Sequence, residues 1–133
     1  MRNTTLPTIK EKLPYYIVNH LAFAKKVSIN RTTYAEQTTY DELWIPSMQE
    51  VGFTGSSYET TGAVYDGLFK DNAARIKMVL GTTSGEYWWT RTARSSDAIF
   101  FYGVNSSGSA GGDRAGSSFA IALGFCVGKL TEK

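Results

Sequence analysis

A single cysteine, Cys126, stands in the 133 residues. No intrachain disulfide can form, which excludes a disulfide framework and any cysteine-cluster metal site. Histidine is equally scarce: His20 is alone and, like Cys126, falls in an apolar run, so the two make a poor nucleophile–base pair. No apolar stretch approaches the ~20 residues of a membrane helix, and Met1-Arg-Asn-Thr-Thr5 lacks the apolar core of a secretory signal. Without such a signal the three sequons at Asn3, Asn30 and Asn105 are expected to be chance matches. The charge excess is only +2, and the basic residues (Lys10, Lys12, Lys25, Lys26, Arg31, Lys70) are scattered. That gives no basic stripe for nucleic acid. Neither nucleic-acid binding nor membrane insertion is expected.

Aromatic residues, by contrast, make up 14% of the chain. They fill cores, and Tyr and Trp also favour recognition surfaces. The length suits one domain, residues 1–133, with 1–12 as a lead-in helix. From Leu6 to Lys26 apolar residues recur at three- and four-residue spacing, and Pro14 should split the pattern into two short helices. Val27 to Tyr40 has no clear period and reads as an extended, looping segment. Leu43-Trp-Ile45 predicts a short buried strand, and Ser47 with Glu50 a capping box closed by Gly52. Leu68 to Leu80 predicts a helix capped by Asp71. Beyond Glu86 the period becomes that of strands: Tyr87–Thr92, Ile99–Val104 and Phe119–Val127, the last burying Cys126. Helices first and an antiparallel sheet with long loops afterwards make an α+β layout.

No catalytic constellation emerges. Asp41 with Glu42, or Asp97 with Asp113, could pair as carboxylates, but twelve scattered acids always offer pairs. No EF-hand spacing occurs, and Gly108-Ser-Ala-Gly-Gly112 follows no βα pattern that would make it a phosphate cradle, so it reads as a flexible loop. No enzyme activity, metal or cofactor is expected. One compositional gap stands out. Thr92–Gly128 contains no Lys, Glu, Gln, Met or Trp, whereas the rate over residues 1–91 would give about eight.

Four stretches in series carry a family resemblance: Trp44-Ile-Pro-Ser-Met-Gln-Glu-Val-Gly52, Phe69-Lys-Asp-Asn-Ala-Ala-Arg-Ile-Lys77, Tyr87-Trp-Trp-Thr-Arg-Thr92 and Ala122-Leu-Gly-Phe-Cys-Val127. Together they cover roughly residues 13–128. They resemble an uncharacterised domain family common in prophages and surface proteins of gut-associated bacteria. That family is similar to variable proteins diversified by retroelements. The resemblance implies a C-type-lectin-like fold and a constant scaffold around a segment rewritten by adenine-directed mutation. Asn codons altered only at adenines cannot yield Lys, Glu, Gln, Met or Trp, and the gap agrees with this. It also implies display on a virion, at a phage tail, or on a bacterial surface, commonly as a homo-trimer.

The segment between Thr92 and Phe119 has the composition of a paratope, with aromatic area and adaptable polar groups. Arg94, Phe100, Tyr102 and Arg114 are the expected anchors. Ser95, Ser96, Asp97, Asn105, Ser107, Asp113, Ser117, Ser118 and Phe119 are expected around them. Phe100 and Phe101 must point to opposite faces of a strand, and Phe100 is taken as the outward one. Arg91 is assigned to buried carbonyls or a carboxylate. The expected function is recognition of a protein or glycan on a cell surface. One alternative is a purely structural virion or adhesin domain. A more distant one is an enzyme of the formylglycine-generating kind, whose paired cysteines are missing here.

Overall fold

A computed structural model describes residues 3–94, 97 and 99–128. Pro14 divides the first helical stretch into α1 (Thr5–Glu11) and α2 (Tyr15–Val18). Strands follow: β1 (Leu21–Ala22), β2 (Ala24–Ile29), β3 (Glu36–Asp41) and β4 (Leu43–Trp44). After a long irregular segment come α3 (Asn72–Arg75), β5 (Trp88–Ala93), β6 (Phe100–Val104), β7 (Ala110–Arg114), β8 (Ala120–Ile121) and β9 (Gly124–Val127). The strands form a β1-β9-β4 sheet, a β2-β3 hairpin and a β7-β6-β5-β8 sheet.

This corrects the α+β, C-type-lectin-like expectation. The protein is mostly β, 33% strand against 12% helix, in small sheets with no helical bundle at the N-terminus. The helical pattern drawn to Lys26 ends at Val18, because period-3.6 spacing was a coincidence beyond it: Phe23 is exposed, while Val27 and Ile29 are buried as strand residues. The looping Val27–Tyr40 segment is instead the six-pair β2-β3 hairpin. The helix expected over 68–80 shrinks to one turn. Asp71 does cap it, accepting the Ala74 N–H at 2.8 Å, but the Trp88 indole N–H donates to the Arg75 carbonyl at 3.0 Å. Ile76 then turns extended, and Lys77 bridges Glu86. The single Phe119–Val127 strand divides between two sheets, and Cys126 is exposed on β9 rather than buried.

The capping box forms as the sequence predicts. The Glu50 N–H donates to Ser47 Oγ at 3.1 Å, and the Ser47 N–H to Glu50 Oε2 at 3.0 Å. The turn then closes with Phe53 N–H on the Met48 carbonyl and Gly52 N–H on that of Gln49, a Schellman pattern with Gly52 at φ +87°.

Alternation along β5 and β6 sorts their side chains onto two cores. On one face Trp89 joins Leu6, Leu43 and Ile45, with Phe101 and Phe119 packed against them. On the other, Trp88 and Val104 join Val51 and Phe69. The β5-β6-β7 sheet is thus pinned from both sides at its Val104 end, and its Phe100 end runs out to the surface.

Candidate functional site

Arg91 of β5 belongs to a buried ionic network. Lys26, 2% exposed, reaches Glu50 Oε1 at 3.0 Å and the Tyr65 hydroxyl at 2.6 Å, and its ammonium sits 3.8 Å from the Trp44 ring centre. Arg91 Nη1 donates to Glu50 Oε2 at 2.5 Å and to the Ile45 carbonyl at 2.8 Å, while Nη2 donates to the Val27 carbonyl at 2.8 Å. Arg91 therefore binds both carbonyls and a carboxylate, as its place on the strand suggested. Burial alone would push the Glu50 carboxyl up. The Arg91 contact and charge, the Ser47 amide and Lys26 outweigh it and hold the group below the usual carboxylate range.

Glu59 behaves oppositely. It is buried with the Thr92 hydroxyl close to both oxygens, at 2.9 and 2.8 Å, and that hydroxyl also accepts the Met48 N–H. Burial pushes its carboxyl up, and the Thr92 hydrogen bond, the Glu59 and Ile29 backbone N–H groups and the Arg91 charge only partly offset this. A folded pKa above the unfolded ~4.3 means stability that is complete below that value and lost as pH rises through the raised one. Glu59→Gln is therefore expected to raise the melting temperature by a few degrees at pH 7 and to leave it unchanged near pH 4. Equal melting at both pH values would show that the carboxylate is stabilised where it lies.

The predicted anchors converge in part. Phe101 packs against the first core, and Phe100 faces the other way with two guanidinium groups near its ring: the Arg94 Cζ is 5.6 Å and the Arg114 Cζ 6.0 Å from its ring centre. Tyr102, two residues along the same face, meets Tyr58 edge-on at 4.9 Å, and Tyr58 in turn lies 6.5 Å from Phe53. Burial, then the Tyr102 phenol, raise the Tyr58 pKa. Tyr58 and Phe53 carry no period or motif that would have marked them, since they come from the irregular segment after Gly52.

Other predicted residues hold the backbone. Asn105 Oδ1 gathers the Ser107 N–H, the Ser107 hydroxyl and the Ser109 N–H, fixing the β6-β7 turn. Asp113 Oδ1 accepts the Arg114 N–H at 2.7 Å and the Ser117 hydroxyl at 3.0 Å. Asp97 Oδ1 takes the Ile99 N–H at 3.2 Å in the β5-β6 loop. Phe119 stacks on Tyr87 at 4.1 Å and leans on Trp89, a packing position. Ser107 and Ser118 are exposed, and Ser95 and Ser96 lie outside the described residues.

The supposedly flexible glycine loop contains β7, and its glycines are packed. Gly103 and Gly111 pair across β6 and β7 over the Tyr87 ring: a Cβ on Gly103 would lie 2.4 Å from Tyr87 Cε1, and one on Gly111 would lie 2.7 Å from its hydroxyl oxygen. Burial, and next the Asp113 charge, push that phenol up to about 12. Part of the compositional gap thus has a packing cause, because long side chains do not fit where Tyr87 fills the space.

A cleft of about 550 Å³ opens on the opposite face from Phe100, between the β2-β3 hairpin (Gln37, Thr39, Asp41) and an apolar wall of Leu6, Ile45 and Phe101. Its size suits a small ligand. No sequence pattern pointed to it, because its two walls are drawn from segments far apart in the chain. Among the described residues no group of three His, Cys, Asp or Glu is placed to hold a metal, and no helix is long and apolar enough to cross a membrane.

Residues 8–127 match the family model of DUF6273, a domain of unknown function. The chain belongs to the DUF6273 family. No curated protein and no solved structure matches it significantly. The DUF6273 match covers every element from the middle of α1 to β9, so both cores apart from Leu6, the Glu50 support and the Phe100 surface fall within one family domain.

Proposed function

We propose that this DUF6273 domain is a binding module that recognises a protein or glycan on a cell surface through the exposed end of the β5-β6-β7 sheet. It would serve as the recognition part of a phage-tail or displayed surface protein. The observation that carries this is the placement of Phe100. The ring is half-buried beside two exposed arginines, on a sheet pinned at its Val104 end by one core on each face. Rigid backbone carrying aromatic and arginine side chains is the composition of interface hot spots. Among the described residues neither Arg94 nor Arg114 is in an ion pair, which leaves both guanidinium groups available to a partner.

The test is binding of the labelled intact chain to whole cells of gut-associated bacteria by flow cytometry, compared with Phe100→Ala. Loss of the hot-spot ring is expected to weaken binding at least about ten-fold. The melting temperature should fall only slightly, because Phe100 belongs to neither core. Equal binding by both chains would remove this surface from the proposal.

A further inference from the structure

We propose that the Arg94–Phe100–Arg114 cluster takes one anionic group, a carboxylate or a sulfate ester, carried by an otherwise neutral saccharide. This rests on the binding role proposed above and gives its ligand a chemistry.

Backbone register builds the cluster. Phe100 stands directly opposite Arg114 in the β6-β7 ladder, and the Phe100 carbonyl accepts the Arg94 N–H at 3.0 Å. Both guanidinium groups therefore reach one ring through fixed backbone positions. A cation–π contact holds a guanidinium without neutralising it and leaves its fork of donors available to an oxyanion. The ion pairs among the described residues are Lys10–Glu42, Lys26–Glu50 and Arg91–Glu50, and neither Arg94 nor Arg114 takes part in one. Two like charges gathered on one ring repel each other, and an anion between them relieves that repulsion.

The surroundings limit what that anion can belong to. The stretch from Ala93 to Gly128 contains two arginines and two aspartates, so its formal charge is zero. Asp97 and Asp113, the two acids of that stretch, are tied to local N–H and hydroxyl groups. A polyanion gains no long-range attraction here and meets both acids. A single anionic group avoids that cost and can take charge-assisted bonds from both forks. Beside it, the phenols of Tyr102 and Tyr58, whose rings meet edge-on at 4.9 Å, suit the neutral hydroxyls of a sugar ring.

The experiment applies the intact chain to an array of sialylated, uronate-containing and sulfated glycans, their neutral parents and a hexaglutamate peptide. The best hits are then titrated by calorimetry. Acidic glycans are expected to bind at least about ten-fold more tightly than their neutral parents. Arg94→Gln and Arg114→Gln should each lose roughly ten-fold, with melting unchanged. Comparing the carboxylated and sulfated arms identifies the anion's source. Neutral parents bound as well as acidic glycans, with both variants unaffected, would overturn the anion assignment and leave a binding module. Tighter binding of hexaglutamate than of any glycan would overturn the saccharide assignment. Silence across the array would overturn the inference as a whole, and cell binding with Phe100→Ala would then decide the broader proposal separately.

Discussion

Glu50→Ala is expected to cost about 3–5 kcal/mol, the range for breaking a buried ion pair by removing one partner. Against a typical domain stability of about 5–15 kcal/mol, that is a large share of the total. Two cations depend on this one carboxylate. Lys26 lies 3.0 Å from one oxygen and Arg91 2.5 Å from the other, in surroundings where neither finds water easily. The Ser47 amide loses its acceptor at the same time. Glu50→Gln keeps the shape and one acceptor and should fall between alanine and the native residue. The pH dependence follows from a folded pKa held below the unfolded ~4.3. The stabilisation is present above the unfolded value and is lost as pH falls through the folded one. Urea unfolding of native and Glu50→Gln chains should therefore show the widest gap near pH 7 and a shrinking one below about pH 4. A gap that stays constant across that range would mean that the carboxylate's charge contributes nothing.

Glu50 also shows how far local grammar reaches. Ser47 and Glu50, three residues apart, spell a capping box in the sequence, and the box is there. Nothing local announces that the same carboxylate meets Lys26, 24 residues earlier, and Arg91, 41 residues later. The strands Tyr87–Thr92 and Ile99–Val104 were legible because β-branched and aromatic residues cluster in them. Strand β7, Ala-Gly-Gly-Asp-Arg, was not, because Gly111 is demanded by Tyr87, which precedes β5, and the glycine pair imitates a flexible loop. The helix drawn over 68–80 failed for a related reason. Trp88 and Glu86 claim the Arg75 and Lys77 backbone from outside the segment, and propensity does not see them. At the candidate surface, the arginines and aromatics of β6 and β7 could be nominated by type. Their convergence on Phe100 depends on register, and Tyr58 arrives from a segment without pattern.

Gly108→Ala should be the most damaging small substitution in the β6-β7 hairpin. Gly108 sits at φ +82°, a left-handed conformation that costs a residue with a Cβ roughly 1–2 kcal/mol. The added Cβ would also fall 1.8 Å from the Asn72 carbonyl oxygen and 2.6 Å from its carbon, so backbone must move. Neither side yields easily. Asn72 opens α3, held by the Asp71 cap and by Arg75, whose Nε donates to the Val51 carbonyl at 2.6 Å. On the other side, Asn105 Oδ1 ties Ser107 and Ser109 into the turn. Overpacking of this kind costs about 1–3 kcal/mol more. A total loss of about 2–4 kcal/mol is expected, read as a drop of many degrees in melting temperature. Gly116→Ala provides the control in the same stretch of chain: no atom lies within 4 Å of the place its Cβ would take, and it needs no left-handed backbone, so melting should hardly change. The damage lies at the Val104 end of the hairpin, while Arg114 and Phe100 pair at the other, about 13 Å along the strand. A destabilised but folded Gly108→Ala chain should therefore still bind cells as the native chain does. If it binds ten-fold more weakly while folded, the turn itself belongs to the binding surface. If it melts like the native chain, α3 does not hold the hairpin.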